Sequence, residues 1–137
     1  MSESQSTASS LVLVALDTSI VVAALRGDPA VRQRLATVQG VITATVVGEL
    51  FVGAYLAAQS GRQLQEVLQL LTTSIVLPCD QDTGKYYAHV TVALRRQGTP
   101  IPDNDVWIAA VALQYALPLV TRDAHFERVP GLVVERW

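Results

Sequence analysis

The apolar run at residues 11–16 (LVLVAL) is continuous rather than alternating and rich in branched side chains, which predicts a strand covered on both faces. Asp17 follows at its carboxyl end, and Thr18 or Ser19 can cap a short helix to Leu25 that Arg26 and Gly27 close. Asp28 and Pro29 form a cap and first-turn pair for a helix reaching about Val38. A second short strand is expected at 41–43, after which Thr43 or Thr45 caps the helix TATVVGELFVGAYLAA. Glu49 is the only charge on that helix. Val47, Leu50, Phe51, Ala54 and Ala58 make its main stripe, while Val46, Val52, Gly53 and Leu56 surround Glu49 on the other side, so two apolar faces call for two covered surfaces.

Ser60 and Gln63 read as a capping box for an amphipathic surface helix over 62–71, and a third strand is expected at 74–77. Asp80 or Asp82 then caps a helix with Tyr87, Val90, Thr91 and Leu94 inward, ended by a basic turn, Arg95 and Arg96, and by Gly98. Pro100 and Pro102 stop anything helical before Asp103, Asn104 and Asp105 open the next helix. From 106 to 116 its only strongly polar side chain is Gln114, which predicts burial on nearly every face. Strands at 117–121 (LPLVT) and 132–134 complete the chain, with His125 and Phe126 in a turn between them. Alternating strands and helices predict an α/β domain around a mostly parallel sheet.

Half of the 137 residues are hydrophobic, enough for one compact domain over 11–137, preceded by a small, polar stretch at 1–10 expected to be a disordered tail. Nothing in those first residues resembles a signal peptide, and Asp17 interrupts the apolar run too early for a membrane span. The formal charge of −2 gives no global attraction for nucleic acid, so any such contact has to come from a local patch. A single cysteine, Cys79, excludes an internal disulfide and a cysteine zinc site and agrees with a reducing cytoplasm.

The acids change this picture. In an open parallel sheet the carboxyl ends of the strands form the ligand crevice. Asp17 ends the first strand, Asp123 follows the fourth, Asp105 opens the buried helix, and Glu49 lies one turn into the helix leaving the second strand. Any one of them could be a helix cap or turn residue, but four elements delivering carboxylates to one end of a sheet is hard to explain by capping. Crowded carboxylates repel unless a cation intervenes, and oxygen donors alone select Mg²⁺ or Mn²⁺ over zinc. Such an ion activates water against a phosphodiester or phosphoanhydride without a protein nucleophile. Phosphatases and receivers with an Asp after the first strand also need a lysine at a strand end. The sole lysine, Lys85, falls inside a helix, and no Walker A or dinucleotide glycine pattern is present.

The pieces LDTSIVVAAL, TATVVGELFVGA, RRQGTPIPDNDVWIAAVAL and LPLVTRDAHFERVPGL, in this order and spacing, resemble a PIN domain, specifically the VapC toxins of prokaryotic toxin–antitoxin pairs. The resemblance implies a three-layer α/β/α fold, a Mg²⁺- or Mn²⁺-dependent endoribonuclease, a homodimer, and neutralisation by a VapB antitoxin whose tail enters the active site. It puts the family's acidic set on Asp17, Glu49, Asp105 and Asp123, with Asp103 as an accessory acid and Thr121 as the polar companion of the last aspartate. Ser19 departs from the family's usual asparagine, though a hydroxyl can still hydrogen-bond a ligating carboxylate. His89 and His125 are expected to be structural or surface residues, since neither belongs to a His-pair metal spacing.

An acidic centre cannot draw RNA by itself, so phosphate contacts are expected from rim arginines, Arg122, Arg95 and Arg96 first and Arg26 less so. Arg95 and Arg96 could equally serve only to complement a helix C-terminus. Two other functions fit the same letters: a PIN-like protein-binding module without catalysis, and a metal-dependent nuclease acting on DNA or structured nucleic acid.

Overall fold

The computed structural model describes residues 11–137; the expected tail at 1–10 lies outside the described residues. Five strands, β1 (Leu13–Leu16), β2 (Gln39–Thr43), β3 (Ile75–Leu77), β4 (Leu119–Thr121) and β5 (Val134–Arg136), form one sheet in the order β3-β2-β1-β4-β5. Every pairing is parallel. Six helices cover it in a three-layer α/β/α arrangement: α1 (Thr18–Leu25), α2 (Pro29–Leu35), α3 (Ala44–Leu56), α4 (Ser60–Thr72), α5 (Gln81–Gln97) and α6 (Asp103–Gln114). Consecutive burial of Val14, Ala15 and Leu16 in β1 is what helices on both faces produce.

The chain winds outward from β1 in two directions, to β2 and β3 on one side and to β4 and β5 on the other. The carboxyl ends of β1 and β4 therefore flank the point where strand order reverses, the place such sheets use for ligands. Helix α6 is the apolar pillar that the sequence predicts: Val106, Ile108, Ala109, Ala110, Val111 and Ala112 are all buried. Its one strongly polar side chain after the first turn, Gln114, accepts from the buried Thr83 hydroxyl at 2.6 Å and donates to Asp80 at 3.1 Å. Asp80 and Thr83 also form a reciprocal capping box at the start of α5, so one polar knot joins both helices.

Several boundaries differ from the sequence pattern, those of β2 and β5 because strand pairing overrides it. Strand β2 begins at Gln39, drawn in by its register with Leu13, and α2 stops at Leu35 instead of near Val38. Leu11 and Val12 are exposed and precede β1. The last strand is Val134–Arg136 rather than 132–134, because Val134 pairs with Leu119 and Arg136 with Thr121. The Ser60/Gln63 capping box does not form; Gln59 occupies the cap of α4 without a side-chain bond. Gly98, as expected, ends α5 with a left-handed φ of 72°, its N–H reaching Arg95 while Thr99 N–H reaches Leu94.

The turn from α6 into β4 carries a non-glycine left-handed residue, Ala116, at φ 53°. Alanine pays about 1 kcal/mol or more for that conformation. Ala116→Gly is therefore expected to stabilise the fold by about 0.5–1 kcal/mol, net of the extra freedom glycine gives the unfolded chain, as read from a shift in the urea midpoint.

Candidate active site

Parallel pairing of β1 with β4 sets Leu16 beside Val120, so the next residues, Asp17 and Thr121, emerge side by side. The Asp17 carboxylate caps α1 by accepting from Thr18 N–H at 2.8 Å, and it also accepts from the Ser19 hydroxyl at 2.8 Å and the Thr121 hydroxyl at 2.7 Å. Only 5 % of Asp17 is exposed, so these donors take the place of water around its charge. Ser19 thus does what the missing asparagine was expected to do, and its hydroxyl oxygen further accepts from Arg122 N–H at 3.2 Å.

Thr121 Oγ1 in turn accepts from Asp123 N–H at 2.9 Å, joining the first and last aspartates through one hydroxyl. On the other side, Thr18 Oγ1 donates to Glu49 Oε1 at 2.8 Å, bringing the α3 acid to the carboxyl end of β1. Thr18 was not anticipated as an orienting residue; its place directly after Asp17 was the available signal.

Asp105 completes the group. The start of α6 is Pro102, with no side-chain cap, so neither Asp103 nor Asp105 is spent on the helix amides. The Asp105 carboxyl is pushed up to about 6, first by burial and then by the negative charges of Asp17, Asp123 and Glu49, with His125 opposing. These acids therefore lie close enough to act on one another.

His125, assigned no part by its sequence context, stands inside this group. Its N–H donates to Asp123 Oδ1 at 2.9 Å, which folds the ring back over the carboxylate. Nδ1 lies 3.1 Å from Asp123 Oδ1 and 3.6 Å from Asp105 Oδ2, and it is buried without a hydrogen-bond partner. Oxygens of Asp105 and Asp123 and a nitrogen of His125 lie within 4.8 Å of one another. An orphaned nitrogen beside crowded carboxylates, one of them held partly protonated for want of a counter-charge, fits a divalent cation.

Asp17 and Glu49 lie outside that three-residue group and join the site through the hydroxyls of Thr121 and Thr18, and the remaining residues lie further off. Asp103 is exposed and accepts from the Tyr87 hydroxyl at 2.6 Å, Tyr87 being stacked on Trp107 with ring centroids 4.1 Å apart. Arg122 is bound to Asp28 at 2.7 Å, and that pair holds the Asp28 carboxyl below its ordinary range. Arg95 borders a small hollow with Asp103, whereas Arg96 is exposed and makes no ion pair among the described residues. Arg26, the least favoured arginine, lines a cleft of about 500 Å³ with Glu49, Gly53, Arg62 and Glu66. His89, as expected, is exposed on α5.

The PIN domain family model matches residues 14–132, which spans every element that supplies this site. The chain belongs to the PIN-domain family. Among curated relatives, Ribonuclease VapC5 of Mycobacterium tuberculosis is 33% identical over 85% of this chain and 87% of its own length. The tRNA(fMet)-specific endonuclease VapC of Salmonella typhimurium is 30% identical over 89% of this chain and 96% of that protein. A solved structure of DNA-bound VapBC from Salmonella typhimurium superposes with a TM-score of 0.86 at 29% identity, covering 93% of this chain and 98% of that one. The PIN fold and the VapC branch expected from the motifs are thus both found. Among the described residues no helix is long and apolar enough to cross a membrane.

The crowding at this PIN site has a consequence for the metal-free protein. Asp105 titrates near 3.8 in an unfolded chain and about 6 in the folded one, so the folded state holds the extra proton between those values and stability falls as pH rises through that window. In EDTA at pH 7, Asp105→Asn is expected to stabilise the chain by about 1–2 kcal/mol after allowance for solvent screening of a half-buried carboxyl. The gain should vanish near pH 4, as measured by urea denaturation at both pH values.

Proposed function

We propose that the chain is a divalent-metal-dependent endoribonuclease acting as the toxin of a VapBC-type pair. The observation that carries this reading is the meeting of Asp17, Thr121 and Asp123 through one hydroxyl where the strand order reverses, with Asp17, Asp123 and Glu49 all raising the Asp105 carboxyl by their negative charge. Its relatives are named ribonucleases, and the neighbouring solved structures are complexes of VapC with VapB. Asp17, Glu49, Asp105 and Asp123 would hold Mg²⁺ or Mn²⁺, which when bound makes a water ligand more acidic and offsets charge developing on a phosphodiester.

The chain's own residues set the conditions for that chemistry. Thr121 and Ser19 lock the Asp17 carboxylate in one rotamer, and Thr18 fixes Glu49 at the mouth of the cleft. A bound cation would supply the positive charge that the Asp105 carboxylate, half-buried among negative neighbours, lacks. Phosphates along the cleft would meet Arg26 and Arg62, and Arg122 at the opposite rim is positioned by Asp28. Asp103, held by the Tyr87 hydroxyl in the same first turn of α6 as Asp105, would serve as an accessory acid at the rim. A free, exposed Cys79 suits the reducing cytoplasm in which such an RNA-cleaving protein would work.

Purified Asp17→Asn and Asp123→Asn are each expected to cleave a panel of tRNAs and rRNA at least about a hundredfold more slowly than wild type with Mg²⁺ or Mn²⁺, without loss of the folded circular dichroism spectrum. Wild-type cleavage should stop in EDTA. Cleavage by either variant at the wild-type rate would overturn the reading.

A protein partner is supported by the outer face of α3. Val52, Tyr55 and Leu56 are 59, 66 and 82 % exposed in the isolated chain, although the sequence pattern calls for this face to be covered. We propose that a second copy of the chain covers it. Leu56→Glu is expected to convert a dimer into a monomer in light scattering while leaving Mn²⁺ binding unchanged.

A further inference from the structure

We infer that His125 is a nitrogen ligand to the cation of this site, so that Asp105, Asp123 and His125 form a mixed set of donors that favours Mn²⁺ over Mg²⁺. The inference rests on the proposed metal site and deepens it. Carboxylates alone would make the centre an all-oxygen one, for which Mg²⁺ and Mn²⁺ compete on similar terms; an imidazole donor moves the preference toward transition metals.

The position of the ring is fixed by the backbone. Asp123 caps the 3₁₀ turn Ala124–Arg128 and accepts from His125 N–H, and the imidazole lies against the same carboxylate. Phe126, wholly buried next to it in sequence, anchors the turn in the core. Nδ1 faces inward, sealed from solvent and without a hydrogen-bond partner even though oxygens stand 3.1 and 3.6 Å away. A buried nitrogen left unpaired costs free energy, and a bond to a cation shared with those oxygens removes that cost. The spacing suits such sharing: donors on adjacent corners of an octahedron with bonds of about 2.1 Å lie about 3 Å apart, and donors on opposite corners about 4 Å. The rest of the side chain, 39 % exposed, contributes little to the core, so replacing it should leave the fold intact.

The chain has two histidines, which makes the test specific. Full-length protein carrying His89→Ala, stripped with EDTA and reloaded with Mn²⁺, is examined by pulsed EPR with and without ¹⁵N-histidine labelling. The expected result is a nitrogen modulation that changes from a ¹⁴N to a ¹⁵N pattern on labelling and disappears in His125→Gln. In calorimetric titrations, His125→Gln should lower Mn²⁺ affinity at least about tenfold while shifting Mg²⁺ affinity less than about threefold, with an unchanged thermal melt of the EDTA-treated protein. Mn²⁺ bound without histidine nitrogen coupling, or with its preference over Mg²⁺ unaltered in His125→Gln, overturns the inference but leaves the metal site standing. Failure of the wild-type chain to bind either ion overturns both.

Discussion

Like charges cannot be gathered at one point of a protein unless something holds them there against their repulsion. Here the holding is done by hydroxyls and amides at the ends of two adjacent parallel strands. Asp17 has three donors around it, and one of them, Thr121, spends its own lone pair on the amide of Asp123. The β1–β4 pairing that aligns these residues is thus the constraint from which the rest of the site follows. Helix α6 brings Asp105 to the same place because its apolar flanks fix its axis against the core, leaving its first turn at the sheet's carboxyl edge.

The acids differ in how they are treated. Asp17 is compensated by hydrogen bonds, whereas Asp105 has burial and negative neighbours without comparable donors, and its affinity for a proton rises accordingly. A site with one satisfied and one frustrated carboxylate is prepared for a cation: the first keeps its geometry, and the second gains most when positive charge arrives. The same contrast explains why capping preferences alone do not account for Asp103 and Asp105, since neither side chain caps the helix it opens.

Much of this was written in the order of residues. The unbroken apolar run before Asp17, the proline stop before Asp103 and the single strongly polar residue of α6 after Asp105 specify a buried α/β architecture, and the acids fall after two strands and near the starts of two helices. What the letters do not carry is the effect of pairing across long separations. Register with Leu13 lengthens β2 at the expense of α2, and register with Leu119 and Thr121 moves the last strand toward the carboxyl terminus. His125 was hidden for a related reason: its role depends on a turn that folds it back over Asp123, and no spacing between histidines signals that. The cleft that Arg26 lines is likewise made only in the fold, where α1 meets the consecutive pair α3 and α4.

The bond between Asp17 and Thr121 spans 104 positions. A ribosome translating this chain therefore has to release nearly all of it before the first aspartate can meet its partner. Fragments ending before Thr121, whether from stalled synthesis or from proteolysis, carry Asp17, Glu49 and Asp105 but lack the strand that organises them. The acidic centre is thus assembled late, after β4 has joined β1, and not piece by piece as the chain emerges.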